Sequence, residues 1–203
     1  MRDIMINSIK WSISIAVITF VLAAIFSIAS NGILHGVAWG TGLIVVLIIV
    51  FIGIFFDMIG IAATAADEVP FHAMASKKVY GAKHSINIVR NADRFASFCN
   101  DVIGDVSGII SGTATTIVII QLTVNLKLGQ SSYIDYMINV TLTSFIAALT
   151  VGGKAFGKSF AIRYSRDIIF QVGKVLQFLE EKFHIAIIKD KKSKKKSTIN
   201  RRK

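Results

Sequence analysis

The chain has 203 residues, of which 53% are hydrophobic and 17% charged, and its formal net charge is +11. Soluble domains reach an apolar share of about half only when glycine is counted, so this composition indicates a membrane protein. The single cysteine excludes an intrachain disulfide and a cysteine-based metal cluster.

Four segments are long enough and poor enough in charge to cross a bilayer as helices, which takes about 20 residues. They lie at residues 11–29, 37–66, 102–126 and 134–152. The sequence therefore predicts an all-α membrane protein with four transmembrane helices.

The first span forms an N-terminal unit, residues 1–36, that ends in an outer loop. Its Ser27-Ile28-Ala29 also resembles the small-residue site at which signal peptides are cleaved. The segment is therefore either an extra transmembrane helix or signal anchor that is retained, or a signal peptide that is removed. In both cases residues 32–36 face outward.

Lysine and arginine are distributed unevenly around the spans. Of the 23 basic residues, Lys127 alone falls on the far side from the others if both termini are inside. Positive charge is retained on the cytoplasmic side of a membrane. The sequence therefore predicts a multi-pass protein of the plasma membrane with both termini in the cytoplasm.

Residues 68–98, between the second and third spans, are too polar to cross the membrane. Pro70 and Gly81 interrupt this segment, which predicts two short juxtamembrane helices. In the second, Ala82, Ile86 and Val89 share one face, so we expect it to lie along the inner membrane surface.

The fourth span is followed by apolar residues at intervals of three and four, which predict an amphipathic cytoplasmic helix at 168–189. The polybasic segment 190–203 is too charged to be buried, and we expect it to be disordered. It is either a solvated tail or a contact with anionic lipid head groups. Nucleic acid is not expected as a partner, because the tail has no aromatic residue for base stacking.

Four charged residues are placed at a similar depth near the inner ends of the spans: Asp57, Asp101, Asp105 and Lys154. Charges in hydrocarbon are costly unless they are partnered, so those that remain are candidates for function. Hard divalent cations prefer oxygen ligands, which makes the three aspartates candidate metal ligands and Lys154 a modulating charge. Alternatively, the aspartates only cap helices or extend to the interface.

Three glycines spaced by four, Gly104, Gly108 and Gly112, predict a small-residue ridge on the third span. Such ridges allow helices to approach closely in a membrane. The ridge is therefore a candidate helix-packing surface.

Residues 152–159 match the phosphate-binding pattern G-x-x-x-x-G-K-[ST]. That pattern binds nucleotides only between a strand and a helix. Here a helix-length apolar run precedes it, so no nucleotide is expected.

Several of these stretches, taken in order over residues 55–167, resemble the transmembrane domain of the CNNM/CorB/CorC magnesium transporter family. They are FFDMIGIA at 55–62, GAK at 81–83, NADRF at 91–95, IGD at 103–105 and, as the most specific match, GKAFGKSFAIRY at 153–164. The resemblance implies a transmembrane domain at 37–167, including juxtamembrane helices at about 68–98. It also implies a homodimer and transport or homeostasis of a divalent cation, Mg²⁺ or Co²⁺.

The departures from the family pattern fall on the expected ion site. Asp105 replaces an asparagine of the family, and Lys154 replaces a glutamate, where a positive charge would repel Mg²⁺. The CBS pair and C-terminal transporter-associated domain that follow in the family are not found in the sequence. Two hypotheses stay open: a cation transporter, or a non-transporting scaffold or partner subunit whose ion site is closed by an Asp–Lys pair. No enzymatic activity is expected, because no nucleophile and base share a plausible site.

Overall fold

The structure, a computed structural model, describes residues 2–34, 38–125 and 132–183. In these ranges the chain contains helices, turns and no strand, which confirms the all-α prediction. The helices are α1 (Arg2–Leu34), α2 (Trp39–Ala65), α3 (Val69–Ser76), α4 (Ala82–Arg90), α5 (Ala92–Ser97), a π-helical segment (Phe98–Gly104), α6 (Asp105–Asn125), α7 (Ser132–Arg163) and α8 (Ser165–Phe183).

Four stretches of the described chain are helical, long and apolar enough to cross a membrane, as the sequence predicts. They are Trp11–Gly32, Trp39–Ala65, Ala92–Asn125 and Tyr133–Arg163. The third begins ten residues before the predicted start, because α5 continues through the π-helical segment into α6 without a break. No glycine or proline interrupts residues 92–103, so nothing in that stretch ends the helix.

Helix α2 lies at the centre of the fold and packs against α6, α7, α8 and the π-helical segment. It is apolar on nearly all sides: one face packs against these helices, whereas Ile44, Ile48, Phe51 and Phe55 are exposed, as expected for a spanning helix that also faces lipid. Its buried positions include small residues such as Gly53, Gly60 and Ala62. Small side chains let neighbouring backbones approach, so the composition of α2 suits its central place.

Most of the buried apolar side chains of the described residues belong to two clusters along α2. One lies among the spanning helices and consists of Val46, Val50, Ile54, Ala114, Val118 and Ile146. The other lies near the C-terminal end of α2 and consists of Ala62, Ala63, Ala66, Phe71, Ile86, Ile88, Ala161 and Ile169. The second cluster joins the short helices α3 and α4 and the amphipathic α8 to the bundle.

The segment between α2 and α6 has one helix more than predicted, since α5 follows α3 and α4. Pro70 lies in the first turn of α3, and Gly81 begins α4 with a φ of 86°. Both breaks therefore fall where the sequence places them. Glu68 ties α3 to α4: it accepts a hydrogen bond from Arg90 and bonds His72, and the bond to His72 holds the pKa of Glu68 below its usual value.

The apolar face of α4 does not lie along the membrane surface, where the sequence pattern predicts it. It packs against α8. The Gly81 amide donates a hydrogen bond to Gln177 Oε1 (2.6 Å), and Ser85 Oγ donates one to the Ile169 carbonyl (3.2 Å). A Cβ at Gly173 would lie 2.2 Å from Ser85 Oγ and 2.7 Å from the Gly81 carbonyl oxygen. Helices α4 and α8 therefore meet where only glycine fits.

The predicted amphipathic helix is present as α8, although it begins three residues earlier, at Ser165. Residues 184–203 lie outside the described residues, and with them the predicted end of this helix and the polybasic tail.

We expect Gly173→Ala to destabilise the protein by about 1–3 kcal/mol, because the added methyl group overpacks the contact with Ser85 and Gly81. For a chain of this size the loss lowers the melting temperature by about 2–12 °C, measurable by thermal unfolding in detergent.

Gly152→Ala is the matched control for this substitution. It adds the same methyl group to a helix, but no atom of the described residues lies within 4 Å of its Cβ position. We expect an unchanged or slightly raised melting temperature, because alanine favours helix. Equal melting temperatures for the two variants would contradict the close packing of α4 on α8.

Candidate functional site

A lysine and two aspartates, one from each of the spanning helices α2, α6 and α7, lie close together. Lys154 Nζ of α7 donates a hydrogen bond to Asp105 Oδ1 at the start of α6, over 3.3 Å. The same nitrogen lies 3.8 Å from Asp57 Oδ1 of α2. We call Asp57, Asp105 and Lys154 the carboxylate–lysine triad.

On the α6 side, glycines bring the helices close enough for the triad to form. A Cβ at Gly53, one turn before Asp57, would lie 3.0 Å from the Cβ of Ser107. A Cβ at Gly104 would lie 3.6 Å from both the Gly53 carbonyl oxygen and Asp57 Oδ1. The carboxylate of Asp57 therefore lies directly against the backbone that precedes Asp105.

On the α7 side, glycines have the same effect. Cβ atoms at Gly153 and Gly157 would lie 2.3 Å from Ile54 Cδ1 and 2.7 Å from Met58 Cγ. Gly153 precedes Lys154, so the contact with Ile54 brings the backbone of α7 near α2 at the lysine. The apparent phosphate-binding motif at 152–159 lies entirely inside α7, where its second and third glycines pack against helix rather than forming a loop.

The three members of the triad differ in exposure to solvent. The side chain of Asp57 is 15% exposed, that of Lys154 26% and that of Asp105 65%. Water reaches Asp57 least, so the charge of its carboxylate depends most on Lys154 for stabilisation. Two carboxylates and one ammonium group, when all are ionised, leave the triad with a net charge of −1.

Asp101, the third predicted metal ligand, is exposed on the π-helical segment and makes no ion pair within the described residues. The prediction placed Asp101 and Asp105 one helical turn apart; Asp101 lies in the π-helical segment, and Asp105 begins α6 four residues later. In the described chain, no three histidine, cysteine, aspartate or glutamate residues are grouped so that they could hold a metal ion. The structure therefore brings Asp57 and Asp105 together with Lys154 and not with Asp101.

Within the described residues, the predicted glycine ridge meets a neighbouring helix at Gly104, whereas no atom lies within 4 Å of a Cβ placed at Gly108 or Gly112. The buried positions of α6 are Val106, Ser107, Ile110, Ser111, Ala114, Thr115, Val118 and Ile119. The predicted ridge follows glycines four residues apart and so marks one face of α6. The face of α6 that packs against the other described helices is rotated away from that ridge.

Asn100 is a further polar residue that sequence reasoning missed. Its side chain lies against Gly60 of α2, where a Cβ would come within 1.9 Å of Asn100 Oδ1. Within the described residues this oxygen is covered and has no hydrogen-bond donor. The sequence signal that could have found the contact is the position of Gly60, two turns after Gly53 on α2.

Comparison with known proteins identifies no relative: no family model, no curated protein and no solved structure matches the chain. The resemblance to the CNNM/CorB/CorC family therefore rests on the sequence motifs given above.

The two ion pairs of the triad differ in a way that a double-mutant cycle can measure. The distances of 3.3 and 3.8 Å change the Coulomb energy by only about 15% at equal dielectric, whereas burial changes the effective dielectric several-fold. We expect coupling of about 1–3 kcal/mol between Lys154 and Asp57, and below about 1 kcal/mol between Lys154 and Asp105. The cycles use Lys154→Ala with Asp57→Asn and with Asp105→Asn, read as free energies of unfolding in mixed micelles.

Lys83→Ala is the control for loss of a lysine from a helix, since Lys83 is exposed on α4. We expect it to change the free energy of unfolding by less than about 0.5 kcal/mol. Stronger coupling to Asp105 than to Asp57 would contradict the role assigned to burial.

Proposed function

We propose that this chain is a non-transporting membrane scaffold or partner subunit, in which Lys154 takes the place of a divalent cation. The observation that carries the proposal is the position of Lys154 Nζ, within ion-pair distance of aspartates on two other spanning helices. An ammonium group supplies one positive charge and three hydrogen-bond donors, enough to bond carboxylates on both sides.

A tethered cation differs from a bound metal ion in its exchange with solvent. Transport requires an ion to enter a site and leave it, whereas Lys154 is covalently part of α7. Mg²⁺ also requires near-ideal octahedral coordination by oxygen, and an ammonium group at the centre of the site opposes that arrangement by charge and by volume. The triad therefore suits a permanent connection of α2, α6 and α7.

The membrane context of the proposal rests on the four apolar helices and on the distribution of charge. We place the protein in the plasma membrane with both termini in the cytoplasm, because lysine and arginine concentrate on that side. The family resemblance adds a homodimer as the proposed assembly. Anionic lipids are the proposed partner of the polybasic segment 190–203.

One observation favours divalent cation transport as a second candidate function. The carboxylates of the triad outnumber its lysine, and Asp105 is 65% exposed, so a hydrated Mg²⁺ ion has access to an acidic group. In that function Asp57 and Asp105 contribute oxygen ligands, and Lys154 weakens the binding of the ion. Asp101 joins the ligands after a change in the helical register of the π-helical segment.

Metal-dependent thermal stability separates the two functions. In the scaffold, 10 mM Mg²⁺ leaves the melting temperature of the wild type unchanged at constant ionic strength. Lys154→Glu places a third carboxylate beside Asp57 and Asp105, and we expect it to be stabilised by Mg²⁺. With a dissociation constant of about 1 mM, the gain is about 1.4 kcal/mol, or about 3–5 °C.

Asp105→Asn in the Lys154→Glu background is the control, and we expect it to reduce this stabilisation. Stabilisation of the wild type by Mg²⁺ that is lost in Asp105→Asn would contradict the scaffold and support the transporter.

Flux through reconstituted vesicles tests transport directly. We expect the wild type to take up Mg²⁺ no faster than protein-free vesicles, because Lys154 cannot leave the site. Co²⁺ is measured in parallel, since the family resemblance includes it. Uptake above the protein-free rate that falls in Asp57→Asn would establish transport and contradict the proposal.

A further inference from the structure

An apolar cavity of about 770 Å³ lies on the side of α2 that the triad does not use. Its volume falls within the range of about 300–1,000 Å³ that is usual for ligand sites. Phe55 and Ile59 of α2 form one wall, and Val175, Leu176 and Leu179 of α8 form another. Residues of α1, α4, α5 and the π-helical segment complete it. We call this cavity the α2–α8 groove.

The groove lies where spanning helices begin or end. Trp11 is the first residue of the first apolar stretch, and Arg94 is two residues after the start of the third. Ile59 is fewer than two turns from Ala65, the end of the second. Three independent helices therefore place the groove at one boundary of the apolar layer, whichever side of the membrane that boundary faces. At this depth, lipid head groups meet acyl chains.

Arg94 is the one charged residue among the described residues that line the groove. Its guanidinium carbon lies 4.9 Å above the ring of Trp11, and it makes no ion pair with a carboxylate among the described residues. The amide side chains of Asn87, Asn91 and Gln171 also line the groove. A positive charge with hydrogen-bonding neighbours beside an apolar channel is complementary to an amphiphile with an anionic head.

We propose that the α2–α8 groove binds one anionic phospholipid, with its phosphate at Arg94 and an acyl chain between α2 and α8. Arginine suits this role because its planar group hydrogen-bonds phosphate oxygens while its face stays stacked on an aromatic ring. The groove thus combines one positive charge with walls formed largely by apolar side chains, as a single anionic lipid molecule requires. None of the residues that line this site belongs to the triad.

Trp11 offers a direct probe of the groove. The chain has two tryptophans, and Trp39 is exposed on α2, so Trp39→Phe leaves Trp11 as the one fluorescent tryptophan. The full-length variant is reconstituted in phosphatidylcholine that contains a small fraction of brominated phosphatidylglycerol or, in parallel, of brominated phosphatidylcholine. Bromine quenches tryptophan only at short range, so quenching measures occupancy near Trp11.

We expect brominated phosphatidylglycerol to occupy the site about fivefold more strongly than brominated phosphatidylcholine, since one basic residue near the surface contributes that factor. Arg94→Gln reduces the preference to near the value for bulk lipid around the protein. Arg163→Gln is the matched control, because Arg163 also stacks on an aromatic ring, Tyr164, but does not line the groove. It removes the same charge and keeps the preference.

A second variant tests the acyl chain separately from the head group. Val175→Phe narrows the groove at an exposed position, and we expect it to lower quenching by both brominated lipids while circular dichroism stays unchanged.

Three outcomes would overturn the proposal. The first is equal quenching by the two lipids in the Trp39→Phe protein, and the second is a preference that survives Arg94→Gln. The third is quenching that rises for both lipids only when residues 184–203 are deleted, or only when the protein is diluted. That result would show the groove to be filled by the chain's own C-terminal segment or by a second copy.

Discussion

The close approach of neighbouring helices to α2 is the constraint on which the rest of the structure depends. Glycines remove side chains that would hold the backbones apart: Gly53 of α2 meets α6, and Gly153 and Gly157 of α7 meet α2. In a membrane such contacts supply much of the packing energy, because burial of apolar surface in protein gains little over burial in lipid. The same contacts set the distances within the triad.

The triad is a consequence of this packing that also reinforces it. Once α7 lies against Ile54 and Met58, the ammonium group of Lys154 reaches carboxylates of both α2 and α6. A charge at this position would be costly if it faced lipid alone. Pairing removes much of that cost, but only when α2, α6 and α7 are arranged so that the charges meet. The ion pairs therefore favour one arrangement of the three helices, as a scaffold requires.

The sequence predicts the spans well because length and apolarity are local properties. Charges near span ends share a depth, and the structure brings three of the four charges selected in this way, Asp57, Asp105 and Lys154, within ion-pair distance. Spacing along one helix does not say which side chains a neighbouring helix meets, so the sequence alone does not distinguish Asp101 from Asp105. For the same reason spacing does not say which face of α6 is covered, and within the described residues no atom lies within 4 Å of a Cβ at Gly108 or Gly112.

The triad and the α2–α8 groove use different faces of one helix, and this links them mechanically. Gly53 and Asp57 are one turn apart and face α6, whereas Phe55 and Ile59 are also one turn apart and face the groove. The π-helical segment connects α5, which carries Arg94, to α6, which carries Asp105. Fixing α6 against α2 through Lys154 therefore also fixes the distance between Arg94 and the wall formed by α2. A groove held in this way exists before a lipid enters, so little binding energy is lost in shaping it.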